Sequence, residues 1–264
     1  MSPAELLEGL GFGALIGLAL GSLGAGGSIL TVPILVYAMG APVQIATGTS
    51  LAIVGVNALA GALMHLRRRR ALPRVGLGVG VSGLAGALGG AWLNQQVRGD
   101  VVLILFACLM VLVAVGLLRR YPAVVTASVS AECITLASWA RIAAVGLGVG
   151  VLTGFFGVGG GFLIVPALVL ILGLPMSLAV GTSLLAIALN ALWGLLAHLS
   201  FGALDLPLTA IFVVGGMLGL VLGGHLAGRM PEHQLRLSFG VVVLATAAYT
   251  FARSAAALMG TSVV

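Results

Sequence analysis

The chain has 264 residues, of which 61% are hydrophobic and 7% charged, and its mean hydropathy is +1.25. A water-soluble domain carries about a quarter charged residues, so this composition excludes a soluble globular protein and requires that most of the outer surface meet lipid. The net charge is +6 and every basic residue is arginine, placed at segment ends; this marks topology signals and excludes a nucleic-acid-binding surface.

The N-terminal stretch carries Glu5 and Glu8 with no early positive charge, which argues against a cleaved signal peptide. Residues 9–39 follow as one apolar, glycine-rich segment, longer than the roughly 20 residues a straight span needs. Gly21, Gly24, Gly26, Gly27 and Pro33 interrupt it, so a break is expected near Gly24–Ser28. Two half-helices or a re-entrant hairpin would both fit. Gly40-Ala41-Pro42 is a turn, and residues 43–66 form a second helix carrying Thr49, Ser50 and Asn57. Arg67–Arg70, with Arg74, stop it. Residues 75–97 are a glycine-dense span, Arg98-Gly99-Asp100 a turn, and residues 101–118 a more lipid-like span ended by Arg119-Arg120.

Residues 121–140 are less apolar and read as a linker, with a composition also compatible with an amphipathic surface helix. The plan then repeats: residues 142–172 broken at Gly157–Gly161, residues 176–199, a turn at Leu204–Pro207, residues 208–228, a loop from Arg229 to Arg236, and residues 237–257.

The repetition is literal. Gly24–Leu66 and Gly157–Leu199 align without a gap at an offset of 133 residues, and roughly half of the aligned positions are identical. The matches include Gly26/Gly159, Gly27/Gly160, Pro33/Pro166, Gly40/Gly173, Pro42/Pro175, Gly48-Thr49-Ser50/Gly181-Thr182-Ser183, Asn57/Asn190 and His65/His198. The fold expected is therefore an all-α polytopic membrane protein of two homologous repeats, residues 1–120 and 141–264, joined by the linker. Each repeat has a broken or re-entrant segment plus three transmembrane helices.

The arginines bear on how the repeats are oriented. If each broken segment crosses once, the repeats are parallel and Arg98, Arg229 and Arg236 face away from the cytoplasm. If each is re-entrant, the repeats are inverted and only Arg98 and Arg253 do. The second distribution obeys the positive-inside bias better. It also explains why four arginines follow His65 and none follow His198.

The polar residues of the duplicated stretch are the candidate site. A helix broken inside a membrane frees backbone N–H groups, and the following half-helix starts with partial positive charge; together these suit an anion. Gly26, Gly27 and Ser28, with Gly159, Gly160 and Gly161, would supply such donors, because glycine lets a ligand approach the backbone. The alternative is that these glycines only permit close helix packing. Thr49, Ser50, Thr182 and Ser183 could donate to an oxyanion or bond back to the preceding turn. Asn57 and Asn190 lie two turns beyond Ser50 and Ser183; a mid-span amide must face protein or a cavity. It would clamp the broken segment or touch substrate. His65 and His198 sit at helix ends and read as interfacial or C-terminal-dipole residues rather than ligands.

No carboxylate lies mid-span: Glu5, Glu8, Asp100, Glu132, Asp205 and Glu232 are all at ends or in loops. That disfavours a cation carrier and a carboxylate proton relay. His225 and His233 have no partner at metal-ligand spacing, Cys108 and Cys133 form no redox or metal pair, and no nucleophile–base set exists. No enzyme, metal or cofactor is expected.

The two Gly-x-Gly-Gly segments, each followed by Val-Pro, a Gly-x-Pro turn, Gly-Thr-Ser and Asn, resemble the TauE/SafE sulfite-exporter family, also called the toluene sulfonate uptake permease family. The resemblance covers nearly the whole chain. It implies a bacterial inner-membrane, multi-pass permease for a small anion of the sulfite, sulfonate or sulfoacetate type. The expected partners are that anion and the lipid bilayer, with self-association open and nucleic acid excluded. The expectation is that the two breaks and the two Gly-Thr-Ser helices cradle one oxyanion near the bilayer midplane under alternating access. A passive anion channel and a non-transporting membrane subunit are the alternatives.

Overall fold

The structure is a computed structural model and describes residues 3–24, 26–94, 96–97, 99–119, 136–156, 161–199, 205–231, 233–235 and 237–245. Among them it is all-helical. The elements are α1 (Pro3–Leu23), α2 (Gly26–Pro33) with a π-helical continuation Ile34–Ala38, α3 (Val43–Arg67), α4 (Pro73–Asn94), α5 (Gly99–Arg119), α6 (Leu136–Phe156), α7 (Gly161–Leu170), α8 (Met176–Leu199) and α9 (Leu206–Arg229). Residues 237–245 are also helical. Among the described residues, four segments are long and apolar enough to cross a membrane: Leu6–Leu23, Gly48–Arg67, Met176–Leu196 and Leu206–Arg229. Exposed Leu15, Val81, Leu112, Leu147 and Leu218 present their apolar side chains outward, as a lipid-facing surface requires.

The expected first segment, residues 9–39, resolves into two pieces. The helix starts at Pro3 and runs unbroken to Leu23; the chain then turns at Gly24, whose φ of 76° suits glycine, and α2 returns. The direction of return follows from packing. Leu35 clusters with Ile16, Leu208 and Phe212, with Phe12, Ile34 and Met39 against them, so the end of the arm lies back beside the first half of α1. Pro33 removes one backbone donor at the point where the α-helix gives way to the π-helical turn. The second arm is shorter on its far side: α7 contains Pro166 and is buried from Gly161 to Val169. The Gly-x-Pro turns close alike. Gly40 has φ 66° and Gly173 φ 69°, with Ala41 N–H donating to Leu35 O and Leu174 N–H to Leu168 O, both at 3.0 Å. The linker expected over residues 121–140 is shorter at its end, because α6 already begins at Leu136; residues 120–135 lie outside the described ones.

With little hydrophobic force between helices in lipid, close backbone packing holds such a bundle together. Two pairs dominate, α1 with α9 and α4 with α6. Gly13, Gly17 and Gly21 press on Phe212, Gly216 and Leu220, and Gly215, Gly219 and Gly223 press back on Leu10, Ala14 and Leu18. On the other side Gly146, Gly150 and Gly154 meet Val79, Gly83 and Ala87, while Gly86 and Gly90 meet Leu147 and Val151. In most of these contacts the missing Cβ would land on a backbone carbonyl, so only glycine fits.

The same contacts fix directions. Residue numbers rise together in α1 and α9, in α4 and α6, in α3 and α9 (Asn57 on Gly216, Gly61 on Leu220, Met64 on Gly224) and in α4 and α8 (Gly76 on Leu185, Gly80 on Leu189). They run oppositely in α3 and α8, where Leu51 meets Gly194, Gly55 meets Ala191 and Gly61 meets Leu184. The main core gathers around α7 and α8, with Phe106 of α5 edge-on to Phe162 of α7 at 5.4 Å between ring centres.

Candidate functional site

The chain break after α1 seats on the other half of the molecule. Gly24 packs against Val180 and Ser183 of α8. The Ser183 hydroxyl, fully buried, lies 2.8 Å from Val180 O and 3.4 Å from Gly24 O, so it joins its own helix to the carbonyl of the break. Beside it, Thr182 Oγ1 accepts from Leu72 N–H at 3.0 Å, tying α8 to the start of α4. Gly181 lies against Arg70 O and the His65 side chain. This station therefore holds the first break, the second Gly-Thr-Ser and the end of α3.

The end of α3 is shaped by an unusual cap. Arg69 N–H donates to Leu66 O at 3.0 Å and Arg70 N–H to His65 O at 2.8 Å, and Arg69 takes φ 53°. That is a Schellman closure with arginine where glycine is usual. The second copy has Gly202 at the corresponding place, outside the described residues.

The first Gly-Thr-Ser is elsewhere. Thr49 and His65 share α3, and at 1.5 Å per residue they stand about 24 Å apart along it. The station at Gly181 packs on His65, so the two Gly-Thr-Ser motifs lie at two levels of the bundle rather than around one point. Thr49 is fully buried and its hydroxyl has no partner; Ser50 is buried beside it.

Asn57 and Asn190 fall between these levels, because antiparallel α3 and α8 bring Gly55 opposite Ala191. They do not point at each other. Asn57 faces Gly216 of α9 and Asn190 faces Gly83 of α4. Asn57 is fully buried with neither amide atom bonded, and Asn190 Oδ1 is also unpaired. An unpaired buried amide costs about 1–3 kcal/mol, which a ligand or water bonded to it would offset.

Of the remaining candidates, Gly26 opens α2, Gly27 packs on Ile16 O and Leu20, and Gly161 opens α7 and is buried. Gly159 and Gly160 lie outside the described residues, as does the side chain of Ser28. His65, read from the sequence as an interfacial or C-terminal-dipole residue, stands in the last turn of α3 and has a buried Nδ1 without a partner at the edge of the first station. Its signal was the duplication itself, His65 with His198. A cleft of ≈ 200 Å³ between α3 and α8 is lined only by apolar groups such as Leu51, Val56 and Leu189, and contains none of the candidate polar residues. Among the described residues no group of His, Cys, Asp or Glu could hold a metal.

The model of the sulfite exporter TauE/SafE family matches residues 9–250. A probable membrane transporter protein of Xylella fastidiosa (strain Temecula1) is 37% identical over 98% of this chain and 100% of its own length. The Bacillus subtilis probable membrane transporter YdhB is 31% identical over 84% of this chain and 90% of its own. YunE of the same organism is 27% identical over 87% and 92%. No solved structure matches.

Proposed function

The chain belongs to the TauE/SafE sulfite-exporter family and is a multi-pass membrane protein, and from that premise we propose that it is a permease carrying a small, sulfur-containing oxyanion such as sulfite or a sulfonate. Two stations, one at Gly24, Thr182 and Ser183 and its counterpart in the repeat at Thr49 and Ser50, alternate in exposure as the repeats rock. The observation that carries this reading is the set of buried polar groups left unpaired in an otherwise apolar bundle: Thr49 Oγ1 and both amide atoms of Asn57. Hydroxyl and amide donors without a carboxylate suit an anion better than a cation.

We further propose that the repeats are inverted. Three things support it. The helices begin in register at an offset of 133 residues, Pro3 with Leu136, Val43 with Met176 and Pro73 with Leu206. The equivalent helices α3 and α8 pack antiparallel. The arginines then gather on the cytoplasmic side except Arg98 and Arg253.

The test is uptake of labelled sulfite, sulfate and small sulfonates into proteoliposomes, with and without a proton gradient, for the wild type and for Asn57→Leu. Saturable flux with counterflow is expected. Asn57→Leu removes two unsatisfied polar atoms while keeping the branched side-chain skeleton, so folded protein should be retained while flux falls at least tenfold. Unchanged flux in this variant refutes the assignment of Asn57. Ohmic current would replace the carrier with a channel, and no flux of any of these anions from folded protein would sink the transport reading for this substrate class.

A further inference from the structure

Because α3 and α9 run parallel, their C-termini emerge on the same side. Between them opens a cavity of ≈ 480 Å³ lined by Arg68, Arg70, Gly224, His225, Gly228 and Arg229. Its size is in the range of about 300–1,000 Å³ common for small-molecule sites. We propose that this vestibule is an oxyanion-binding site, separate from the broken segments and contributed to by both halves of the chain.

Three guanidinium groups share the cavity, and among the described residues no carboxylate pairs with them. The acids whose side chains are described, Glu8 and Asp205, stand at the opposite ends of α1 and α9. Guanidinium forks match sulfate, sulfite and phosphate groups two bonds at a time, so an anion there offsets the mutual repulsion of the arginines. The cavity is kept open by the backbone. Gly224 and Gly228 form its wall on α9, and a side chain at Gly228 would meet the Arg70 guanidinium. Arg70 is held over α9 by the Schellman closure at Arg69. His225 Nδ1 lies 2.8 Å from Val221 O, which fixes its ring at the rim. The repeat itself does not carry the arginines: the equivalent positions of the second copy read Ser200-Phe201-Gly202-Ala203-Leu204. Topology alone would accept them anywhere in the loop, whereas here they converge with Arg229 from the other repeat.

The group recognised is a tetrahedral or pyramidal oxyanion, and it could come from a free anion or from an anionic lipid headgroup. The experiment uses the full chain in phosphatidylcholine nanodiscs at low ionic strength, titrated with sulfate and read by calorimetry. Arg70→Gln and Arg229→Gln should each weaken sulfate binding about tenfold, as should Gly228→Leu, which fills the cavity and leaves every charge in place. Arg119→Gln, which removes the same charge elsewhere, should leave binding unchanged. In discs doped with phosphatidylglycerol, native mass spectrometry counts retained lipid. Retention that falls in the three vestibule variants would assign the site to a headgroup, and sulfate binding in neutral discs would assign it to the free anion. If sulfate and phosphatidylglycerol bind the three variants as they bind the wild type, the proposal is overturned. No gradient is applied, so this result is independent of whether the protein transports.

Discussion

Replacing Gly17 by alanine adds one carbon where α1 meets α9, and that carbon would fall on the carbonyl of Gly216. The obstacle is backbone, so no rotamer change relieves it. Restoring contact at about 3.5 Å requires the helices to separate by more than about 1.5 Å, with loss of dispersion contact along the seam. Overpacking of this kind costs about 1–3 kcal/mol. At roughly 2–4 °C per kcal/mol for a chain of this size, the melting midpoint should drop by several degrees. Gly11 provides the control, since nothing lies within 4 Å of a Cβ built there. Gly11→Ala is the same chemical change in the same helix and gains helix propensity of up to about 1 kcal/mol, so its midpoint should hold or rise. The repeat predicts a second pair: Gly150→Ala against the carbonyl of Gly83 should be destabilising, and Gly148→Ala, in open space, should not. Thermal unfolding of the four variants in one detergent, followed by fluorescence-detected gel filtration, decides the matter. Equal midpoints for Gly17→Ala and Gly11→Ala would refute the close-packed seams.

Two further predictions separate residues that look identical in the sequence. Thr182→Val strands the Leu72 N–H and should cost about 1–3 kcal/mol, whereas Thr49→Val removes a hydroxyl that bonds to nothing and should be neutral or stabilising; unfolding midpoints of the two variants would show it, and equal losses would contradict the geometry. For the antiparallel α3 and α8, the pairs Leu51→Cys with Gly194→Cys and Gly61→Cys with Leu184→Cys should both cross-link with a short bifunctional thiol reagent, in a background with Cys108 and Cys133 replaced. A parallel packing can satisfy one pair but not both, so a single positive pair would exclude the inverted reading.

Much of this protein follows from local sequence. The spans follow from apolar runs of sufficient length, and the turns at Gly24, Gly40 and Gly173 from the positive φ that glycine alone adopts freely. The duplication placed Thr49, Thr182, Asn57 and Asn190 together as candidates, because polar atoms are expensive in lipid and twofold repetition of them at one spacing is hard to reach by chance.

Helix partnership was not legible in the same way. Glycine-rich faces look alike along the chain, and which faces meet is set by the mutual fit of carbonyls and missing side chains. That fit pairs α1 with α9 and α4 with α6, across the repeats rather than within them. The consequence reaches the site. Each Gly-Thr-Ser is the same triplet in the same kind of helix, yet Thr182 meets the start of α4 and bonds Leu72 N–H, while Thr49 meets no partner. The sequence determined that these residues would be buried and duplicated. Only the tertiary structure decided that Ser183 seats on the first break at Gly24, because in a bilayer the contacts that choose between equivalent apolar helices are close backbone approaches between residues far apart in the chain.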